Sequence, residues 1–295
     1  MFARLVLSGG SIKGVAFAGC LRYLEHVNAI GDIVEFVGTS AGALTCLMAA
    51  AGFEADAIVT WFERQFRELA LSEIEIENVL DVFETYGIDS GERLLLLAQR
   101  VLQHRGMPAE ATFVEFAKHT GKNLVVCATN LTSCRHEFFG VDTSPEMPVA
   151  LAVRMSMSIP IVFKPVRYKD CVYVDGSLLN NIPVDSVPRR GDPTRHTLAI
   201  LITEGVRKKA SFADLSDFVL HMLLLLVARM SAVSVDPYQD KVELLELDLK
   251  EFNIPWMGLD VENMSIPWDG DKMRRMVEYG YQQLKSKLQS KNIQL

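Results

Sequence analysis

The sequence predicts an α/β fold, a three-layer sandwich whose mostly parallel central sheet is flanked by helices. Two observations predict it. The opening of the 295-residue chain alternates strand, helix, strand and helix, as a parallel sheet built from βα units does. Further short apolar strands then recur after a helical block, so the sheet continues beyond that interruption. The composition, 49% hydrophobic and 23% charged with nothing of low complexity, belongs to a globular chain able to bury a full core. Without repeats or a clear linker, residues 1–295 read as a single domain.

Arg4-Leu5-Val6-Leu7 is a short buried strand entering Ser8-Gly9-Gly10-Ser11-Ile12-Lys13-Gly14, and apolar residues at helical spacing follow to Val27. Ile33 to Val37 is the next strand, and Ala41 to Ala51 a helix of small residues ended by Gly52. Residues 54–120 read as a helical insertion after that helix. Within it Ile58, Trp61, Phe62, Phe66 and Leu69 share one face, Leu94, Leu95, Leu97, Ala98, Val101 and Leu102 another, and Thr112-Phe113-Val114-Glu115 is a capping box.

Asn123 to Thr129 is a strand with Arg135 to Phe139 as its hairpin partner. Pro148 to Ser158 is a helix stopped by Ile159-Pro160. Val172-Tyr173-Val174 leads into Asp175-Gly176-Ser177. In the C-terminal part, 187–295, Leu198 to Thr203 is a buried strand and Glu243 to Leu249 alternates as an edge strand does. Asp271 to Leu288 is an amphipathic closing helix.

The net charge of −7 argues against nucleic-acid binding and against wide docking on anionic lipid. Cys20, Cys46, Cys127, Cys134 and Cys171 are scattered without a Cys-x-x-Cys pair, which points to reduced thiols, a cytoplasmic setting and no metal site. Lys13 interrupts the first apolar stretch, so a cleaved signal is not expected. The longest apolar run, Phe218 to Ala228, is too short to cross a bilayer and fits a buried or interfacial helix, with core packing favoured over peripheral membrane contact. No cofactor is expected.

The chemistry centres on Gly38-Thr39-Ser40-Ala41-Gly42. A strand leads into this Gly-x-Ser-x-Gly and a helix leads out, the setting of a nucleophile elbow. The glycine-rich stretch one βα unit earlier fits a phosphate loop poorly. Val15 stands where the Walker lysine belongs, and Ser11 where the second Rossmann glycine belongs. It fits an oxyanion hole better, with backbone N–H groups aimed at the oxygen of a tetrahedral intermediate.

Ser40 needs a base. Of His26, His104, His119, His136, His196 and His221, none sits in a glycine-marked strand-end loop, and His196 is the best placed. Asp175 follows a strand and precedes a glycine that permits a sharp turn, unlike Asp269-Gly270, which no strand enters.

Together these pieces resemble the patatin-like phospholipase family over residues 4–186. The resemblance rests on the Ser8–Gly14 loop with its Lys13-Gly14 ending, on Gly38-Thr39-Ser40-Ala41-Gly42, on Asp175-Gly176-Ser177, and on the connecting Ser156-Met157-Ser158-Ile159-Pro160-Ile161-Val162-Phe163-Lys164-Pro165. Ser11 and Ser177 stand where the family usually has glycine. The resemblance implies a Ser40–Asp175 dyad, an oxyanion hole from Gly9, Gly10 and Ser11 with Ala41 as a further donor, and fatty-acyl esters of phospholipids or related lipids as substrates. Lys13 would orient the loop or be a solvated lysine at a helix start. Gly14, Gly38, Gly42 and Gly176 would shape the turns. Two rival readings are a Ser-His-Asp esterase using His196 and a lipid-binding or interaction module of the same fold without turnover.

Overall fold

The computed structural model describes residues 2–70, 82–186, 197–203, 241–252 and 269–293, with scattered positions between 204 and 268. The strands are β1 (Arg4–Leu7), β2 (Glu35–Thr39), β3 (Gly87–Asp89), β4 (Asn123–Asn130), β5 (Arg135–Phe139), β6 (Ile161–Phe163), β7 (Val166–Tyr168), β8 (Cys171–Asp175), β9 (Thr197–Thr203) and β10 (Val242–Asp248). The helices are α1 (Val15–His26), α2 (Ala41–Ala50), α3 (Ala55–Ala70), α4 (Val82–Thr85), α5 (Glu92–His104), α6 (Phe113–Thr120), α7 (Val149–Ser156) and α8 (Gly270–Ser290).

The sheet is mixed and mostly parallel, as the alternating opening predicts. Its hydrogen-bonded order is β10-β9-β1-β2-β4-β8-β7, with β5 also on β4. The first five strands of that order are mutually parallel, whereas β5, β8 and β7 run antiparallel to their neighbours. Side chains alternate between two faces. Leu5, Leu7, Phe36 and Ile200 enter a large core with the helices, while Val6, Val37, Ala199 and Leu201 pack with Ile182 and Val184 on the other side.

Helix α8 lies against α1 at a crossing that only glycine allows. A Cβ on Gly19 would sit 1.8 Å from the Val277 carbonyl oxygen, and one on Gly280 would sit 2.1 Å from that of Ala16. The Cys20 thiol donates to the Gly280 carbonyl at 3.3 Å across the same contact. The amphipathic pattern foretells the helix; the pair of glycines sets how closely it approaches.

The described residues of the insertion are mostly helical, with one exception. Gly87–Asp89 forms a strand that pairs in parallel with Ile161–Phe163, outside the main sheet. Three residues carry too little periodicity to announce a strand. The capping box at Thr112 is present, with the Glu115 N–H donating to Thr112 Oγ1 and the Thr112 N–H donating to Glu115 Oε2 at 2.9 Å. Ile58 and Phe62 are buried and Trp61 stands edge-on to Phe53, so the first half of this face of α3 packs inward, while the Phe66 and Leu69 side chains lie outside the described residues.

Asp269 caps α8 by accepting the Lys272 N–H at 3.0 Å, which explains the second Asp-Gly. Of the Phe218–Ala228 run, the described Phe218, Met222, Leu225 and Leu226 are exposed. His196 lies outside the described residues. Among the described residues no helix is long and apolar enough to cross a membrane.

Alanine in a helix interior ordinarily stabilises relative to glycine. Gly280→Ala is expected to do the reverse, costing about 1–3 kcal/mol from overpacking. Gly31→Ala, with no atom within 4 Å of its added Cβ, should stay within about 0.5 kcal/mol. Urea unfolding of the two variants checks the contrast.

Candidate active site

Two strands that approach each other end to end create the site. β2 pairs with Asn123–Cys127 of β4, and β5 pairs with Val126–Asn130, so β2 and β5 occupy opposite edges of β4. β8 pairs with Ala128–Asn130, where β5 already holds its own edge, so β8 continues along the edge of β2. It runs the opposite way. Thr39 lies opposite Cys127 and Asp175 opposite Ala128, so β2 and β8 stop at adjacent rungs. Gly176 makes this meeting possible, because a Cβ there would fall 2.4 Å from the Cys127 carbonyl oxygen and 2.9 Å from Thr39 Cγ2.

Ser40 occupies the turn from β2 into α2 with φ 54° and ψ −124°, a conformation that L residues rarely adopt. Such strain costs about 1–3 kcal/mol and persists where surrounding contacts over-determine it. Those contacts are present. The Ser40 carbonyl accepts the Ala43 and Leu44 N–H groups at 2.9 and 3.2 Å. The Ser40 N–H donates to Ser156 Oγ at 2.8 Å, and Ser156 Oγ donates to the Cys127 carbonyl at 2.6 Å. The glycines beside Ser40 serve close approach: a Cβ on Gly38 would lie 2.5 Å from Ala43 N, and one on Gly42 2.4 Å from the Ser8 carbonyl oxygen.

The Ser40 hydroxyl donates to Asp175 Oδ2 at 2.6 Å, and both residues are buried, at 5% and 3% exposure. The other carboxylate oxygen accepts the Ser177 N–H at 2.8 Å. Burial pushes the Asp175 carboxyl up to about 6, against the opposing pull of its hydrogen bonds from Ser40 and Ser177. The aspartate is thus far more basic than an exposed one. Its backbone is fixed as well, its N–H donating to the Ser158 carbonyl at 2.9 Å.

The glycine-rich loop packs against this pair. A Cβ on Gly9 would lie 3.3 Å from Ser40 Cβ and 2.2 Å from Ser177 Oγ. The Gly9 N–H, expected as an oxyanion donor, instead donates to the Asn181 carbonyl at 3.0 Å. That bond ties the loop to the segment after Asp175, and Gly9 shapes the loop without supplying a donor. Among the described residues the Gly10 and Ala41 N–H groups have no acceptor. Ala41 opens α2, so its N–H also carries the positive end of that helix. Ser11 adopts φ 50°, holding the loop turned at the position where glycine is usual. Lys13 is fully buried, which excludes the solvated-lysine reading. A Cβ on Gly14 would press on Ala41 Cβ at 2.8 Å, so the loop and α2 start side by side.

The described histidines are engaged elsewhere. His136 Nε2 lies 3.0 Å from Asp185 Oδ2, His26 Nδ1 lies 3.1 Å from the Tyr281 hydroxyl, and His104 and His221 stack near Phe53 and Phe212. His119 is exposed on α6. The sequence offers Ser156 and Ser158 only as parts of a motif, with no role assigned. The signal for one is there: two hydroxyls closing a helix whose other polar residue is Arg154 must find partners inside the protein.

A family model described as "Patatin-like phospholipase" matches residues 5–188. A relative named "Probable lipid hydrolase 463L", from Invertebrate iridescent virus 6, is 29% identical over 194 residues, covering 62% of this chain and 62% of its own length. The match therefore spans less than two thirds of that relative. Among solved structures, VipD from Legionella pneumophila superposes with a TM-score of 0.57 at 18% identity, over 98% of this chain and 67% of its own. The ExoU chain of the ExoU–SpcU complex from Pseudomonas aeruginosa gives 0.54 at 16% identity, over 98% and 51%. At these identities the two structures share the fold.

The raised Asp175 carboxyl carries a stability consequence. The folded state holds that proton more tightly than the unfolded chain, so the carboxyl's contribution is full below the ordinary aspartate range and is lost as pH rises through about 6. Asp175→Asn, which never ionises, should therefore stabilise the protein at pH 8 by on the order of 1–3 kcal/mol and much less at pH 4. Denaturant titrations of both proteins at the two pH values check the sign.

Proposed function

The chain belongs to the patatin-like phospholipase family, and from that membership we propose that it is a lipid acyl hydrolase of phospholipase A type, working through a Ser40–Asp175 dyad. The observation that carries the reading is the 2.6 Å hydrogen bond from the Ser40 hydroxyl to a buried carboxylate raised to about 6. A carboxylate of ordinary acidity is a poor base for a serine hydroxyl, whereas one near 6 is largely ionised at neutral pH and still proton-seeking. The name of the viral relative supports a lipid ester as the substrate class.

In the proposed cycle Ser40 Oγ attacks the ester carbonyl carbon as its proton passes to Asp175 Oδ2. The oxyanion is held by the Gly10 and Ala41 N–H groups, with Ser11 beside them. Collapse expels the alcohol, which takes the proton from Asp175 and leaves an acyl-serine. Water then attacks that ester, gives its proton to Asp175, and releases the fatty acid as Ser40 Oγ is reprotonated. No metal or cofactor has a role in this cycle. The substrate lipid is met at a membrane surface by a protein that docks peripherally, in a cytoplasmic setting.

Acyl release from phosphatidylcholine vesicles and from a short-chain nitrophenyl ester tests the proposal. Ser40→Ala and Asp175→Asn should each lose about 10³-fold or more in kcat/KM, while His196→Ala stays within about twofold. The wild-type kcat/KM should rise with pH through a midpoint near 6. Full activity in Asp175→Asn with loss in His196→Ala would establish the Ser-His-Asp esterase instead. Vesicle binding by the wild type without turnover on any lipid would establish the non-catalytic module.

A further inference from the structure

We infer that Arg154 is a positioning residue for the candidate base, acting through the Ser158 segment whose carbonyl holds the Asp175 N–H. Arg154 sits in the last turn of α7 and is 4% exposed. Its guanidinium donates through Nη1 to Ser158 Oγ and through Nη2 to the Ser90 carbonyl at 2.8 Å and the Lys164 carbonyl at 2.9 Å. Ser158 Oγ in turn donates to the Arg154 carbonyl at 2.8 Å. One planar side chain therefore joins three backbone segments: the start of α5 in the helical insertion, the exit of β6, and the end of α7 where Ser156 and Ser158 brace Ser40 and Asp175.

The surroundings are built for that group. Gly91 adopts φ +69°, and a Cβ on it would lie 2.0–2.3 Å from the guanidinium atoms. The Phe163 ring centre is 5.8 Å from Arg154 Cζ. Burial pulls the guanidinium down to about 10, with Asp89 opposing. An aliphatic side chain would fill the same space without desolvating a charge. What it cannot do is bind two carbonyls and a hydroxyl in fixed directions at once.

The chain of contacts leads to the base. Arg154 fixes Ser158, the Ser158 carbonyl takes the Asp175 N–H at 2.9 Å, and that bond sets where β8 stops relative to Ser40. The groups acting on the Asp175 carboxyl are the Ser40 hydroxyl from the elbow and the Ser177 N–H and hydroxyl from its own loop; the buried Cys127 thiol of β4 faces it as a neutral group, held protonated by burial and by the nearby carboxylates. Among the described residues no charged side chain acts on it. A substitution that keeps the charge at position 154 and loosens the segment therefore reports on position and water access, with no change of charge.

The test uses the full chain carrying Arg154→Lys or Ser158→Ala. The second removes the hydroxyl through which Arg154 grips the segment and keeps the carbonyl that binds Asp175. The activity arm rests on the dyad reading; the second arm does not, and follows the Asp175 carboxyl by carbon-13 NMR against pH, with its peak assigned from Asp175→Asn. In Arg154→Lys, kcat should fall about tenfold with KM within about twofold. The carboxyl midpoint should move down from about 6 toward the ordinary aspartate range as water enters. Ser158→Ala should shift both in the same direction by less, and decides the question if Arg154→Lys does not fold. Folded variants with kcat and midpoint unchanged would overturn the inference and leave Arg154 a packing residue. A wild type without turnover whose Asp175 midpoint still moves in the variants would sink the dyad reading and keep this one.

Discussion

The structure around the site depends on a hydroxyl–carboxylate hydrogen bond made in a dry place. Ser40 and Asp175 can form it because β2 and β8 run toward each other along one edge of β4 and end at neighbouring rungs. An all-parallel sheet could not arrange this, since its strand ends all point the same way. The antiparallel return of β8 is what places an acidic strand end against the Ser40 turn. Burial then makes the carboxyl basic, and three hydrogen-bond donors, the Ser40 hydroxyl and the Ser177 N–H and hydroxyl, keep it from being neutralised altogether.

Holding this arrangement costs free energy, and the surrounding polar contacts offset it. Ser40 is strained, Asp175 is desolvated, and Arg154 is a buried cation. Each would destabilise the fold if left alone. Each instead sits in a satisfied network: Ser156 and Cys127 around the Ser40 turn, Ser158 and Ser177 around Asp175, and Ser90 and Lys164 around the guanidinium. A hydrogen bond contributes about 1 kcal/mol net, and leaving a buried partner unmet costs more than that. The networks therefore define position more than they add stability, which is the property the proposed site requires.

Much of this was legible in the chain, for reasons that differ by element. β1, β2 and α2 follow from local periodicity, and the elbow from glycine spacing around one serine. Asp175 stood out because a strand leads into its Asp-Gly; Asp269, with no strand before it, turned out to be a helix cap. What was not legible depends on distant partners. The β3–β6 pair joins two three-residue segments far apart in sequence. Gly19 and Gly280 reveal their purpose only when α1 and α8 cross. Nothing local says that the Gly9 N–H is committed to Asn181, or that a lone arginine in an apolar helix grips two carbonyls.

Membership of the patatin-like phospholipase family and the geometry of the pair meet at one chemical claim, that an acyl group passes through Ser40 with Asp175 as the base. Intact-mass analysis after rapid quenching with a long-chain nitrophenyl ester tests that claim most directly. The account predicts an acyl adduct on the peptide containing Ser40, formed by the wild type and His196→Ala alike and absent from Asp175→Asn on the same timescale. An adduct that forms in Asp175→Asn at the wild-type rate, or that maps to another residue, would contradict it.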